Sequence, residues 1–510
     1  MRDPAKIGIS RVHLRKRNAA LAVLAAVVLG FVAPPSAKSQ TYSVLYSFAG
    51  PPSDGTYADG TLIMDATGNL YGTARAGGAS INCPGGCGIV FKLSKSGNET
   101  VLHSFAGPPT DGEGPEGGLM MDTAGNLYGT TLGGGAYGGG TAFKIDTSGN
   151  ETVLYSFNAY ATDGRGPYAG LIMDTAGNLY GTTELGGASS NCTFGCGTVF
   201  KLDASGNETL LYSFAGPPND GATPTAGLIM DKAGNLYGTT AYGGPGIMTC
   251  SLGPGCGTVF KLDTSGNETV LHEFTGLGTV IDGVFPWGGL TMDTEGNLYG
   301  TSLYGGTSGQ GTVFKFDTSG NEIVLHSFSA GDGENLFGGL LVDTAGNLYG
   351  TAANAGPNGE GTVFKLDSSG NETVLHGFPG GAGDGGGPLA GVIVDASGNL
   401  YGTTSYGGTT GAGVVFRIAL GPGAQVANLE TTVNALVSTG TLNAGTARIL
   451  LAPLNAAIAA LNAGRTPAAI LELDGFVLEV RLLVVLRRLT PAEGGTLIND
   501  ANSIITTIRG

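Results

Sequence analysis

GLIMDTAGNLYGTTELGGASSNCTFGCGTVFKLDASGNETLLYSF, residues 170–214, holds four short runs that suit β-strands: Leu171–Met173, Leu179–Thr183, Thr198–Leu202 and Glu208–Phe214. Each is rich in aliphatic, aromatic or β-branched residues and is bounded by Gly, Asn or Asp. Glycine interrupts them too often for helices. Asp174-Thr-Ala-Gly177-Asn and Asp203-Ala-Ser-Gly206-Asn stand between paired runs and read as hairpin turns. In such turns the Asp carboxylate accepts backbone N–H groups and Gly takes the positive φ that closes the chain. A calcium loop is the sharper alternative, but one Asp per short turn supplies too few oxygens for a six- to eight-coordinate ion.

The same stretch recurs along the chain. GNLYGT begins at Gly68, Gly125, Gly177, Gly234, Gly296, Gly346 and Gly398, at intervals of 57, 52, 57, 62, 50 and 52 residues. A second phrase, G-[TIV]-[VA]-F-[KR], follows each copy, with its Phe at 91, 143, 200, 260, 314, 364 and 416. Four antiparallel strands repeated seven times at a period near fifty predict an all-β fold, a seven-bladed β-propeller. A linear β-solenoid is the other arrangement of such units. The ends of the array favour the ring: the last copy stops at Leu420 without a fourth strand, while a spare one, Tyr42–Phe48, precedes the first. Closing the ring with that N-terminal strand removes the exposed sheet edges.

The long phrase GLIMDTAGNLYGTT and its near copies resemble the Gloeo/Verruco tandem repeat over residues 42–418. The resemblance implies a bacterial, exported protein and brings no catalytic residues with it.

Residues 1–39 read as a signal peptide. Arg11, Arg15, Lys16 and Arg17 precede an apolar stretch, Ala19–Val32, and Ala37-Lys-Ser39 offers small residues at a cleavage site. The remaining chain would carry 17 basic and 39 acidic residues, a formal charge of −22. That balance argues against nucleic acid, which needs clustered Lys and Arg, and no later segment reaches about 18 uncharged apolar residues, so no further membrane span is expected. The six cysteines fall in close pairs in equivalent loops, Cys83/Cys87, Cys192/Cys196 and Cys250/Cys256. In an exported chain these read as local disulfides. No His accompanies them to complete a zinc site.

After a linker at 421–424 the pattern turns helical over 425–510, predicting a small all-α bundle. Val426, Leu429, Val433, Leu436 and Val437 form one stripe, and Leu450, Leu454, Ile458 and Leu461 a second. Pro453 is expected to kink or shorten that second helix. Thr466-Pro467 opens a third as N-cap and first residue. Thr490-Pro-Ala-Glu493 opens a fourth with a capping box. GTLNAGTARILLAPLNAAIAALNAG, ILELDGFVLEV and LTPAEGGTLINDANSII resemble the FIMAH domain, which implies attachment or interaction for this module.

No catalytic motif stands out, so no enzyme activity is expected, nor a cofactor or metal. His103, His272, His326 and His376 share one register of the fourth strand with Tyr46, Tyr155 and Tyr212, which suits packing with a polar tip. An Asp-Gly pair precedes every first strand (Asp54, Asp111, Asp163, Asp220, Asp282, Asp332, Asp384), most simply as a turn signal. The loops on that face also carry the variable aromatics Tyr57, Tyr168, Tyr242, Phe285, Trp287, Tyr304, Phe337 and Tyr406. From these, Trp287, Tyr304, Tyr242, Tyr406, Phe337, Asp282 and Asp332 are the candidate ligand-binding residues of a monomeric surface-interaction protein. Its expected partner is a neutral polysaccharide or a peptide or protein outside the cell. Two other readings stand beside it: a polysaccharide hydrolase or lyase, for which Glu113, Glu116, Glu184 and Glu334 are the unrepeated acids, and a spacer whose helical module makes the contact.

Overall fold

A computed structural model describes residues 40–509 apart from 160–162, 245–249, 251–254, 276–281, 344–345, 396 and 439. Residues 1–39, read above as a signal peptide, lie outside the described residues. Seven four-stranded antiparallel sheets form the blades of a β-propeller. The third blade runs Ile172–Met173, Leu179–Thr183, Thr198–Leu202 and Glu208–Ser213 from the centre outward, as its sequence predicts. The seventh is completed by Thr41–Ser47, which pairs with Val414–Ala419 from Thr41↔Ala419 to Ser47↔Val414. The ring is closed by the N-terminal strand.

GNLYGT can be read letter by letter in the first blade. Gly68 takes φ 86° in the hairpin, and Asn69 Nδ2 donates to Asp65 at 2.7 Å. Leu70 enters the core. The Tyr71 hydroxyl donates to the same Asp65 oxygen, Oδ2, at 3.1 Å, with Lys92 above its ring. A Cβ on Gly72 would lie 2.7 Å from the Phe91 ring, so the phenylalanine needs the glycine. Thr73 Oγ1 then donates to the Gly117 carbonyl of the next blade, 3.0 Å away.

Phenylalanine joins the blades. The Phe that ends each fourth strand packs against the third-strand Phe of the following blade, edge-on at Phe105 on Phe143, Phe157 on Phe200, Phe214 on Phe260, Phe328 on Phe364, Phe378 on Phe416 and Phe48 on Phe91, and tilted at Phe274 on Phe314. These rings are essentially solvent-free. Edge-to-face contacts of this kind add to the apolar burial itself, and here they run unbroken through the closure.

One element is absent from the sequence reading. In six blades the residues after the Asp-Gly aspartate form a two-residue ladder with the segment following the second strand, such as Gly164–Arg165 with Leu185–Gly186. In the sixth a single bridge, Glu334↔Asn354, takes its place. The ladder puts the inter-blade connection and the second-to-third-strand loop on one face. Cys83–Cys87, Cys192–Cys196 and Cys250–Cys256 each close within a loop of that face.

Four helices follow: α1 (Pro422–Ser438), α2 (Ala444–Asn462), α3 (Thr466–Val485) and α4 (Pro491–Arg509), packed around their own apolar core. Three details correct the sequence reading. The helix begins at Pro422, inside the stretch expected to be a linker. α2 passes through Pro453 as one helix. Thr466 is already helical, with Arg465 at the cap position. The capping box at α4 forms: Glu493 N–H donates to Thr490 Oγ1, and the Glu493 carboxylate accepts the Thr490 N–H at 2.7 Å. The module touches the propeller where Ser503 Oγ lies 3.1 Å from Ser397 Oγ in the seventh blade.

Candidate binding site at the channel mouth

Before each first strand the chain makes the same left-handed step, at Tyr57, Gly114, Gly166, Thr223, Phe285, Asn335 and Gly387, with φ between 57° and 66°. The carbonyl of that residue accepts an N–H from the end of the blade's second strand (Arg75, Leu132, Glu184, Ala241, Leu303, Ala353 or Ser405). This constant backbone clamp turns the residue two positions on toward the axis. The seven residues so placed are Asp59, Glu116, Tyr168, Thr225, Trp287, Phe337 and Leu389. All seven line one cavity of about 520 Å³ at the centre of the ring.

The frame has sevenfold repetition and the lining does not. On one side stand acids and their partners. Arg75 Nη1 lies 3.4 Å from Glu116 Oε1, and its Nε is 4.0 Å from Asp59 Oδ2. Ser405, from the seventh blade, donates to Asp59 at 2.5 Å, and the Tyr168 hydroxyl donates to Glu116. On the other side stand Trp287, Phe337 and Leu389. Tyr168 meets Trp287 edge-on at 6.1 Å between ring centres, and Trp287 meets Phe337 edge-on at 6.0 Å. A continuous chain of contacts therefore runs from Ser405 through the acids to the aromatic rings.

Glu116 is buried. Burial pushes the Asp59 carboxyl above its ordinary range; the Ser405 hydrogen bond opposes this, the Glu116 charge adds to it and Arg75 opposes it. Burial, with Glu116 alongside, pushes the Tyr168 phenol up as well. Thr225 Oγ1 is shielded from solvent and has no hydrogen-bond partner among the described residues. The mouth thus offers hydrogen-bonding groups on one wall and ring faces and edges on the other.

Of the residues singled out by sequence, Trp287 and Phe337 meet here, with Tyr168 from the variable aromatics and Glu116 from the unrepeated acids. Tyr242 and Tyr304 do not: they pack on either side of buried Phe285, at 4.9 and 6.2 Å, in the core between the fourth and fifth blades. Tyr406 lies against the backbone of Gly386 and Gly387 and donates its hydroxyl to Glu360. Asp282 and Asp332 lie outside the mouth. Asp282 is buried and accepts N–H from Thr275 and Gly283 at 2.9 and 2.8 Å. Asp332 faces His326 at 3.4 Å and accepts from Ser329. Arg75, Asp59, Thr225, Leu389 and Ser405 were missed. Their signal is the single variable column before the small-residue pair that opens each first strand.

Fold and repeat define a class, a closed propeller built from one bacterial repeat unit with a helical module attached. The model of the Gloeobacter/Verrucomicrobia repeat matches residues 29–194, 82–279 and 246–447, and the chain belongs to that family. No curated protein matches it. Among solved structures it is similar to an ulvan lyase of the polysaccharide lyases bound to -[GlcA(1-4)Rha3S]-, at 10% identity and TM-score 0.43, covering 75% of this chain and 96% of that one. A PQQ-bound aldose sugar dehydrogenase from Streptomyces coelicolor is similar at 14% identity and TM-score 0.36, covering 76% and 99%. A luciferin-regenerating enzyme follows at 16% and 0.37, covering 59% and 90%. Likenesses at this level carry nothing about chemistry.

Proposed function

We propose that the protein is an exported binding protein that takes an end or short segment of a neutral saccharide into the channel mouth. The observation that carries this is the split lining: one position of the repeat supplies Asp59 and Glu116 on one wall and Trp287, Phe337 and Leu389 on the other. Sugar rings have apolar faces that stack on aromatics and equatorial hydroxyls that donate to carboxylates, so an amphipathic mouth suits them. Three disulfides and the repeat family support the exported setting.

A glycan array read with the full mature chain, followed by calorimetry on the best oligosaccharide, tests the reading. Trp287→Ala with Phe337→Ala should weaken binding at least tenfold at unchanged melting temperature. Tyr304→Ala, outside the mouth, should leave affinity alone. Equal loss in both would move the site to the loops.

One observation favours a second reading, a hydrolase or lyase: two buried carboxylates sharing Arg75 in one cavity, with Asp59 pushed toward its protonated form. A raised acid beside a second carboxylate is the arrangement general acid–base cleavage of a glycosidic bond requires. Incubation of the bound oligosaccharide with wild type and with Asp59→Asn separates the two. Reducing-end release by wild type alone selects the enzyme.

A further inference from the structure

The outer seams between blades repeat a second side-chain group. A fourth-strand Tyr or His faces the aspartate of the next Asp-Gly pair and, in six of the seven seams, the Glu that opens the next blade's fourth strand. In three seams a tyrosine closes the group by donating to the aspartate: Tyr46 to Asp54, Tyr155 to Asp163 and Tyr212 to Asp220, at 2.8 to 2.9 Å. His103, His326 and His376 stand 3.2, 3.4 and 3.0 Å from their aspartates, at hydrogen-bonding separation.

His272 does not close its seam. Its Nε2 is 3.5 Å from Asp282 Oδ1 and 3.8 Å from Glu322 Oε2. Nε2 is shielded from solvent and has no hydrogen-bond partner among the described residues, and the same is true of Glu322 Oε1. The glutamates of four other seams (Glu99, Glu151, Glu268 and Glu372) share the unpaired Oε1, so the distinguishing feature is the histidine: a shielded, unpaired imidazole nitrogen costs stability unless something pairs with it. The Asp282 carboxylate is held in place by Thr275 and Gly283 N–H groups, so it cannot swing to meet the histidine.

The three groups converge with the atoms of one ligand set within 4.8 Å of one another, as do His103, Asp111 and Glu151, but there the imidazole is already paired with its aspartate. Ligand atoms about 2.0–2.1 Å from a tetrahedral zinc lie about 3.4 Å apart along each edge. The 3.5 Å between His272 and Asp282 is close to that edge, and the 3.8 Å to Glu322 would shorten by about 0.4 Å on binding. We propose that His272, Asp282 and Glu322 form a divalent-metal site, best matched to zinc, with water as the fourth ligand. One imidazole and two carboxylates balance the ion's charge, and the nitrogen donor selects zinc over calcium. His272 belongs to the fourth blade's outer strand and Glu322 to the fifth's. The ion staples those two strands where other seams use a phenol or imidazole hydrogen bond. This departs from the metal-free expectation drawn from sequence.

The test uses untagged full-length protein stripped with a chelator, dialysed, and titrated with zinc chloride by calorimetry. One zinc per chain should bind and raise the melting temperature. His272→Tyr installs the residue the repeat itself uses in other seams, so it should fold, and it should lose both the binding and the thermal shift. Glu322→Gln should weaken binding at least tenfold, and His103→Tyr should retain it. No bound zinc in wild type, or undiminished binding in both His272→Tyr and Glu322→Gln, would overturn the site. Calcium binding as tight as zinc would overturn the choice of metal.

Discussion

Thr223 holds φ at 59°, a conformation that costs an L-residue roughly 1–2 kcal/mol and a β-branched one the most. Three of the seven blades place glycine at this step and avoid the cost. The clamp can tolerate other residues because its carbonyl is fixed by an N–H from the second strand in every blade. We expect Thr223→Gly to raise unfolding stability by about 1 kcal/mol, the strain relieved less the extra freedom of Gly in the unfolded chain. A urea-denaturation midpoint measures it, and a lower midpoint would mean that the threonine side chain makes a contact worth more than the strain. The clamp also explains what sequence could show of the site. Trp287 stood out because it is the only tryptophan. Glu116 stood among the unrepeated acids, but Asp59 looks like an ordinary surface acid until the clamp turns its column inward. Asp282 and Asp332 misled for the opposite reason: a repeated carboxylate on a loop face resembles a binding ring at the mouth, yet it faces the outer seam, where Asp282 holds Thr275 and Gly283 and Asp332 holds Ser329.

Among elements, the strands of each blade were legible because alternating apolar runs bounded by turn residues carry their own signal. The two-residue ladders were not, since two residues have no period. The continuous α2 is instructive. Pro453 removes the N–H that the Ile449 carbonyl would accept, but Ile449 lies on the exposed side of the helix, so water can take its place. Leu450, Leu454, Ala457 and Leu461 meanwhile hold both halves to one core. The second-strand threonines give a controlled test of blade-to-blade bonding. Thr351 Oγ1 donates 2.8 Å to the Ala390 carbonyl of the next blade. Thr403, its counterpart at the closure, has a shielded hydroxyl with no partner among the described residues. Valine keeps the shape of threonine, so Thr351→Val should cost about 1 kcal/mol, the net worth of a buried hydrogen bond. Thr403→Val should be neutral or stabilising. Equal losses would show that packing, and not the bond, sets the residue.

For the whole molecule, closure by Thr41–Ser47 makes every blade an inner blade, so each outer seam buries polar groups on both sides. Six of these seams hold a glutamate (Glu99, Glu151, Glu208, Glu268, Glu322 and Glu372), and the seventh carries Tyr42, stacked on His376 at 3.7 Å. Burial, reinforced by the facing Asp54, Asp111, Asp163, Asp220, Asp282 or Asp332, raises each glutamate from 4.5 to about 7. A carboxyl raised in the folded state binds its proton more tightly there than in the unfolded chain. Its stabilising contribution is therefore complete below pH 4.5 and disappears as pH rises through about 7. The hairpin aspartates such as Asp65, Asp122 and Asp174 are lowered by their Asn, Thr, Tyr and backbone hydrogen bonds. Their contribution is lost only in stronger acid, below the ordinary aspartate range, so between pH 4.5 and 7.5 the glutamates decide the slope. The chelator-treated protein should accordingly melt higher at pH 5 than at pH 8. Glu208→Gln combined with Glu268→Gln should flatten that difference, because an amide in either seam needs no proton. A melting temperature that is level or higher at pH 8 would mean that the six carboxyls ionise at ordinary pH and that the seams admit water.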